Sequence, residues 1–174
     1  AVTGVELVHS HHAAREDQYR LAIGLLGAEA MLRLFTEQEA NPRAFQALTR
    51  FLEVLDGVEA RTARPALDPL GLSFQLKLLW VSGYLPHLTS CAECGSDGQL
   101  GGYSPAAGGA VCEKCDTGSL ALSTEGIAGI EGLLGTPLAD ADISKRAARE
   151  ALRVITSSYE YHGGFRLRTL ATRA

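Results

Sequence analysis

The sequence predicts a mainly α fold, a helical bundle that carries an inserted four-cysteine hairpin and is preceded by the end of a strand. Three observations predict it. Apolar residues recur at steps of three and four in several long stretches of the 174 residues. Asn41-Pro42 and Asp68-Pro69 are helix starts, each an N-cap residue followed by proline at the first helical position. The four cysteines fall as Cys91-x2-Cys94 and Cys112-x2-Cys115, a spacing that turns two pairs of thiolates onto one zinc ion.

The elements follow in order. Val2 to Val8 has the alternation of a strand end, with Val5 and Leu7 on one side of the pleat. His9, His11 and His12 come next, either a polar linker or a metal-binding group. Residues 14–35 predict a long helix with the stripe Leu21, Leu25, Ala28, Leu32 and Phe35 facing inward. Helix 42–56 presents Phe45, Leu48, Leu52 and Leu55 as its inner face, and Gly57 ends it. Residues 58–67 form a loop. Helix 70–82 is apolar on most sides (Leu72, Phe74, Leu76, Leu78, Leu79, Trp80, Val81), which makes it the most buried element.

Between the cysteine pairs, residues 99–104 predict a short strand, Pro105 to Gly109 a turn, and Ala110-Val111 the returning strand. Gly95 sits just after Cys94, where a tight knuckle needs positive φ. Ser123 or Thr124 caps a helix to residue 134, with Ile127, Ile130, Leu133 and Leu134 inward. Asp140 or Asp142 opens a last long helix over 143–160. Gly163-Gly164 breaks it before a tail from Phe165 to Leu170. The resulting organisation is an N-terminal segment and linker (1–13), a first helical part (14–88), a zinc-knuckle insertion (89–118) and a second helical part (119–174).

Four soft thiolates close the tetrahedral shell of zinc and leave no position for substrate, so the predicted site is structural. Two disulfides are the alternative, but four cysteines in 174 residues are sparse for a disulfide scaffold. A thioredoxin-like redox pair needs a βαβ context that the pattern lacks. His87 stands four residues before Cys91 and is a substitute ligand in a minor reading. His162 reads as a helix C-terminal residue interacting with the dipole.

Composition bounds the class. A 46% hydrophobic and 21% charged chain is that of a soluble globular protein of one or two domains. No run of 18 apolar residues predicts a membrane span. Thiols that are free or metal-bound fit a reducing compartment. The chain opens in mid-pattern without methionine, which implies a preceding segment. Net charge is −4 but unevenly spread, with seven basic against two acidic residues from Ile143 onward and nine against eighteen before it.

That basic end has a pattern. At about 100° per residue, Lys145, Arg149, Arg153 and Arg146 share one quadrant of helix 143–160, beside the apolar set Ala148, Ala151, Leu152, Ile155 and Tyr159. Phosphates attract such a stripe, so Lys145, Arg146, Arg149 and Arg153, with Arg166 and Arg168 in the tail, are the candidate nucleic-acid contacts; a solvated amphipathic face is the plain alternative. No P-loop, GxSxG or HExxH is present, and the glycine-rich run 101–109 lacks the lysine and following helix of a phosphate cradle. No enzyme is expected from a closed metal shell without a paired acid and base.

The run from Phe74 to Leu88 with Cys91-Ala92-Glu93-Cys94-Gly95, the run Gly108 to Cys115, and the ending Tyr159 to His162 with Phe165-Arg166-Leu167-Arg168-Thr169 closely resemble the RecO family of recombination mediators. The resemblance implies a helical domain with an inserted zinc knuckle, and residues 2–8 as the last strand of an N-terminal OB-fold. It implies a non-enzymatic role in recombinational DNA repair in the bacterial cytoplasm, associated with the nucleoid. Partners implied are single- and double-stranded DNA, the tail of single-stranded-DNA-binding protein, RecR, and RecA indirectly. In the family much of the DNA contact is attributed to the OB domain. A protein-interaction module that binds no DNA is the other function class, and the acidic balance of residues 1–142 fits it. Helix 70–82 is the apolar candidate for the partner tail, or simply core.

Overall fold

The computed structural model describes residues 3–35, 40–60 and 62–171. Its helices are α1 (His12–Glu16), α2 (Gln18–Leu34), α3 (Pro42–Leu55), α4 (Pro69–Val81), α5 (Thr124–Gly135), α6 (Lys145–Gly163) and α7 (Arg168–Ala171). Strands β1 (Leu100–Ser104), β2 (Gly109–Cys112) and β3 (Leu120–Ala121) form one antiparallel sheet in the order β2-β1-β3. The two proline starts and the hairpin stand where the sequence places them. The short third strand is additional, because two residues carry no periodicity to read.

α4 is the centre. Ten of its thirteen residues are buried, and it packs against α2, α3, α5 and α6. Asp68 caps it: one carboxylate oxygen accepts from the Leu70 amide (2.9 Å), the other from the Tyr19 hydroxyl of α2 (2.7 Å). The aliphatic stem of Lys77 runs along the core, and its Nζ donates to the carbonyls of Leu133, Leu134 and Thr136 at the end of α5. Those are carbonyls that a helix C-terminus leaves without internal partners. Burial pushes the Lys77 ammonium below the usual lysine range. Helix 70–82 is thus core rather than a partner pocket, apart from Trp80, which is 63% exposed.

Two expectations near the N-terminal end are corrected. Residues 3–10 form no strand, and Val5, Leu7 and Val8 are exposed; Val2 lies outside the described residues. A strand needs a partner for its amides, and none of the described residues supplies one. The helix expected over 14–35 is two helices, parted at Asp17, whose side chain caps α2 by accepting from the Arg20 amide.

The faces of α2 and α3 also differ from expectation. α2 buries Ile23, Leu26, Gly27 and Ala30, while Leu21, Leu25 and Leu32 are 40%, 50% and 73% exposed. The reason is proximity. A Cβ at Gly27 would stand 2.6 Å from the Phe51 ring, so this turn meets its neighbours through small residues. Phe51 of α3 and Phe74 of α4 stack there with ring centroids 4.0 Å apart. α3 therefore turns Ala44, Phe51 and Leu55 inward and leaves Phe45 67% exposed.

The last helices match their expected spans closely, with Ser123 capping α5 and Ser144, rather than Asp140 or Asp142, capping α6. The sheet is fastened to the bundle by a buried pair, the hydroxyls of Tyr103 (β1) and Ser158 (α6), 2.7 Å apart. Ser158→Ala strands the Tyr103 hydroxyl in an apolar site and should cost about 1–3 kcal/mol. Tyr103→Phe should cost less, about 0.5–1.5 kcal/mol, because the Ser158 hydroxyl keeps its bond to the Val154 carbonyl. Urea unfolding of both variants reads the difference; equal losses would contradict this account of the joint.

Candidate metal centre and cationic groove

The four cysteines converge. Their Sγ atoms all lie within 4.8 Å of one another, and among the described residues this is the one group of three or more metal-capable side chains. Cys94 and Cys112 Sγ are 3.9 Å apart. A tetrahedron with metal–sulfur bonds of about 2.3 Å has edges near 3.8 Å, whereas a disulfide would bring two sulfurs to about 2.05 Å. All four thiols are free, so the disulfide alternative does not hold.

Backbone geometry builds the two knuckles. Gly95 takes φ +71° and donates to the Cys91 carbonyl at 2.8 Å; the Cys115 amide closes the second turn on Cys112 at 3.0 Å. The Cys112 amide points at Cys91 Sγ (3.4 Å). Hydrogen bonds from the Cys112 and Cys94 amides pull Cys91 down to about 6, while the Cys94 and Cys112 side chains push Cys115 up to about 12. Opposed shifts are what one small space imposes on several thiolates, and a dication would relieve them. Cys91 and Cys112 are buried, Cys94 is exposed. His87 is not part of the group: its Nε2 stands 2.7 Å from the Ser90 hydroxyl. The early histidines do not converge either, since the His11 ring bonds Asp56 at 2.8 Å.

The basic residues form a second feature. Lys145, Arg146, Arg149 and Arg153 are all exposed along α6. They edge two adjoining grooves, of about 1380 and 570 Å³. The larger runs between α2 and α6. Its apolar side is Leu21 and Leu25, the leucines expected in the core, and its cationic side is Arg146, Arg149 and Arg153. Thr169 and Leu170 of the C-terminal segment also line it. The smaller groove is edged by Lys145, Arg149 and Arg64.

These cations are not equally available. Arg146 pairs with Glu150 (3.3 Å) and Glu125 (3.9 Å), Arg153 donates to the Ala121 carbonyl, and Arg166 pairs with Glu160 at 3.0 Å. Lys145 and Arg149 carry no ion pair among the described residues. Arg166 and Arg168 line neither groove. Arg64 is a member that sequence reasoning missed; it sits in an aperiodic loop, and only the Pro65–Leu67 turn places it between α2 and α6.

Glu150 secures the cationic wall. Its carboxylate accepts from the amide and hydroxyl of Ser123 (2.9 and 2.8 Å) and from Arg146. Burial alone would raise this carboxyl, but those partners offset it and hold Glu150 below the usual glutamate range.

Comparison with known proteins places these features in a family. A family profile described as "Recombination protein O C terminal" matches residues 15–171. Among curated relatives, DNA repair protein RecO of Rubrobacter xylanophilus is 32% identical over 91% of this chain and 63% of its own length. The RecO of Anaeromyxobacter dehalogenans is 31% identical over 94% of the chain and 65% of its own length. That of Cutibacterium acnes is 30% identical over 97% and 70%. The chain thus spans less than two thirds of the length of the first of these. Among the described residues no helix is long and apolar enough to cross a membrane.

The Glu150 joint sets an expected pH dependence. Its folded pKa lies below the unfolded one, so its contacts stabilise the fold above the ordinary glutamate pKa and fade as pH falls through the depressed value. Glu150→Gln should lower the melting temperature at neutral pH, and the gap to the parent should narrow in acid. A gap that stays constant with pH would show that the carboxylate charge is not what matters.

Proposed function

The chain belongs to the RecO family through its C-terminal portion, and on that premise we propose that it serves recombinational DNA repair as a zinc-stabilised docking module without catalytic chemistry of its own. In this reading residues 14–88 and 119–174 make one helical unit and 89–118 an insertion within it. It works in the bacterial cytoplasm at the nucleoid, with RecR as its companion, to promote annealing and RecA loading.

The observation that carries the reading is the larger groove. One wall is cationic and the other is exposed leucine. DNA phosphates need the first wall but not the second. An acidic peptide that also carries apolar side chains uses both, and the acidic tail of single-stranded-DNA-binding protein is the partner assigned to it in this reading. DNA contact is assigned to Lys145 and Arg149, the two cations of the stripe whose side chains have neither an ion pair nor a hydrogen-bond partner among the described residues, with Arg64 beside them in the smaller groove. Contacts of this kind fix position and carry no base information. The second reading, a protein-interaction module that binds no DNA, is favoured by the internal partners of Arg146, Arg153 and Arg166.

The metal is assigned as one structural zinc on Cys91, Cys94, Cys112 and Cys115. When bound it supplies a cross-link between two knuckles and neutralises thiolate charge; the cysteines present no open coordination position. The buried cluster beside it consists of little more than Cys91, Val111 and Cys112, too small to hold the hairpin alone. Structural zinc contributes about 10–16 kcal/mol to folding in small peptides.

Three outcomes are expected. Metal analysis should find one zinc per chain, and a variant with all four cysteines changed to serine should be insoluble or melt well below the parent; a soluble variant with the parental melting curve would overturn the assignment. Lys145→Ala with Arg149→Ala should weaken DNA binding alike across sequences and lower the salt slope by about two. An unchanged slope favours the module that does not bind DNA. Leu25→Glu should abolish binding of an Asp-rich peptide ending in phenylalanine, measured by fluorescence anisotropy, while DNA binding persists.

A further inference from the structure

The C-terminal segment is held in an unusual way. α6 ends at Gly164, which takes φ +66° and turns the chain back. Phe165 then packs on the Tyr159 ring at 5.1 Å, with the Arg33 guanidinium over its face at 5.2 Å, and Leu167 is buried. Beyond Leu167 the segment is tied to α2 through Glu29. The Glu29 carboxylate accepts from the Arg168 amide (2.8 Å), the Thr169 amide (3.0 Å) and the Thr169 hydroxyl (2.7 Å). These three bonds span 139 and 140 residues of sequence. The amides they satisfy are the free first donors of α7, so the carboxylate acts as a cap borrowed from another helix.

The same place is the edge of the larger groove. Glu29 lies one turn beyond Leu25 on α2, and Thr169 and Leu170 line the groove opposite the arginines. We propose that residues 165–170 are a clasp that closes one side of the groove, and that Glu29 is the positioning residue that sets Thr169 and Leu170 against the ligand. The inference rests on the groove being the docking site for an acidic peptide.

The clasp has the character of a latch rather than a wall of the core. Phe165 and Leu167 anchor its base, but Thr169 and Leu170 are only half-buried. Leu170 also rests against the edge of the core, and the charge-assisted bonds to the Glu29 carboxylate fix the backbone beside it at 168 and 169. Burial would raise the Glu29 carboxyl, yet the Thr169 and Arg168 amides, the Thr169 hydroxyl and Arg33 outweigh it, so Glu29 is held ionised in the clasped state. Glu29→Gln replaces one acceptor oxygen with a donor, which then faces either the Arg168 amide or the Thr169 amide, and removes the charge that strengthens the remaining bonds.

The test is a double-mutant cycle of Glu29→Gln and Leu170→Ala in the full chain. It is read by anisotropy of the Asp-rich phenylalanine-ended peptide and by hydrogen exchange at the Arg168 and Thr169 amides. Glu29→Gln should speed exchange at those two amides, leave exchange across α4 unchanged, and weaken the peptide about tenfold. In the Leu170→Ala background it should weaken the peptide little further, because both changes remove one wall. Additive losses, or parental exchange at 168 and 169 in Glu29→Gln, would overturn the clasp. A parental protein that does not bind the peptide would instead overturn the groove reading, and the exchange data would still decide whether Glu29 holds the segment.

Discussion

α4 has almost no polar face, so the rest of the chain must surround it. Leu72, Phe74, Leu76, Leu78 and Leu79 are fully buried, a gross gain of roughly 8–15 kcal/mol at 1.5–3 kcal/mol each. That gain dominates the individual hydrogen bonds around it, which contribute about 1 kcal/mol apiece. α2, α3, α5 and α6 are placed by how they cover this one. Three polar groups tie α4 to its neighbours: its cap Asp68 to α2, and Ser73 and Lys77 to the end of α5.

Covering a helix on all sides requires close approach somewhere, and α2 provides it with Gly27 and Ala30. The consequence reaches the surface. Once the small residues of α2 face inward, its leucines have nowhere to go but out, and they meet the arginines of α6 across the Pro65–Leu67 turn. The groove is therefore a by-product of core packing, and its two chemistries come from different helices for different reasons. The Glu29 bonds tie α2 to the segment that follows α6, while the Glu150 joint ties α6 to the start of α5. The cysteine hairpin is organised on a separate principle, with a very small core of its own and a fastening to α6 through Tyr103 and Ser158.

Local signals made much of this legible. Asn41-Pro42, Asp68-Pro69 and Ser123 mark helix starts because capping is decided within four residues. The cysteine spacing marks a convergent site because a two-residue gap already sets the local turn. The Lys145–Arg149–Arg153 row follows from helical period alone, and its exposure is what the period implies. The C-terminal run Leu167-Arg168-Thr169 stood out as a family signature, but its tie to Glu29 lies 139 residues away and has no local trace.

The sequence by itself determined the starts at Asn41-Pro42, Asp68-Pro69 and Ser123, that helix 70–82 is apolar on most sides, and that the cysteines fall in two turn-forming pairs, because each depends on neighbours in the chain. Tertiary structure alone decided which face of α2 and α3 turns inward, that residues 3–10 stay unpaired, and that Arg64, Leu25 and Leu170 share a groove. Those outcomes depend on interhelical distance, and a glycine against a phenylalanine ring sets that distance more strongly than any count of leucines.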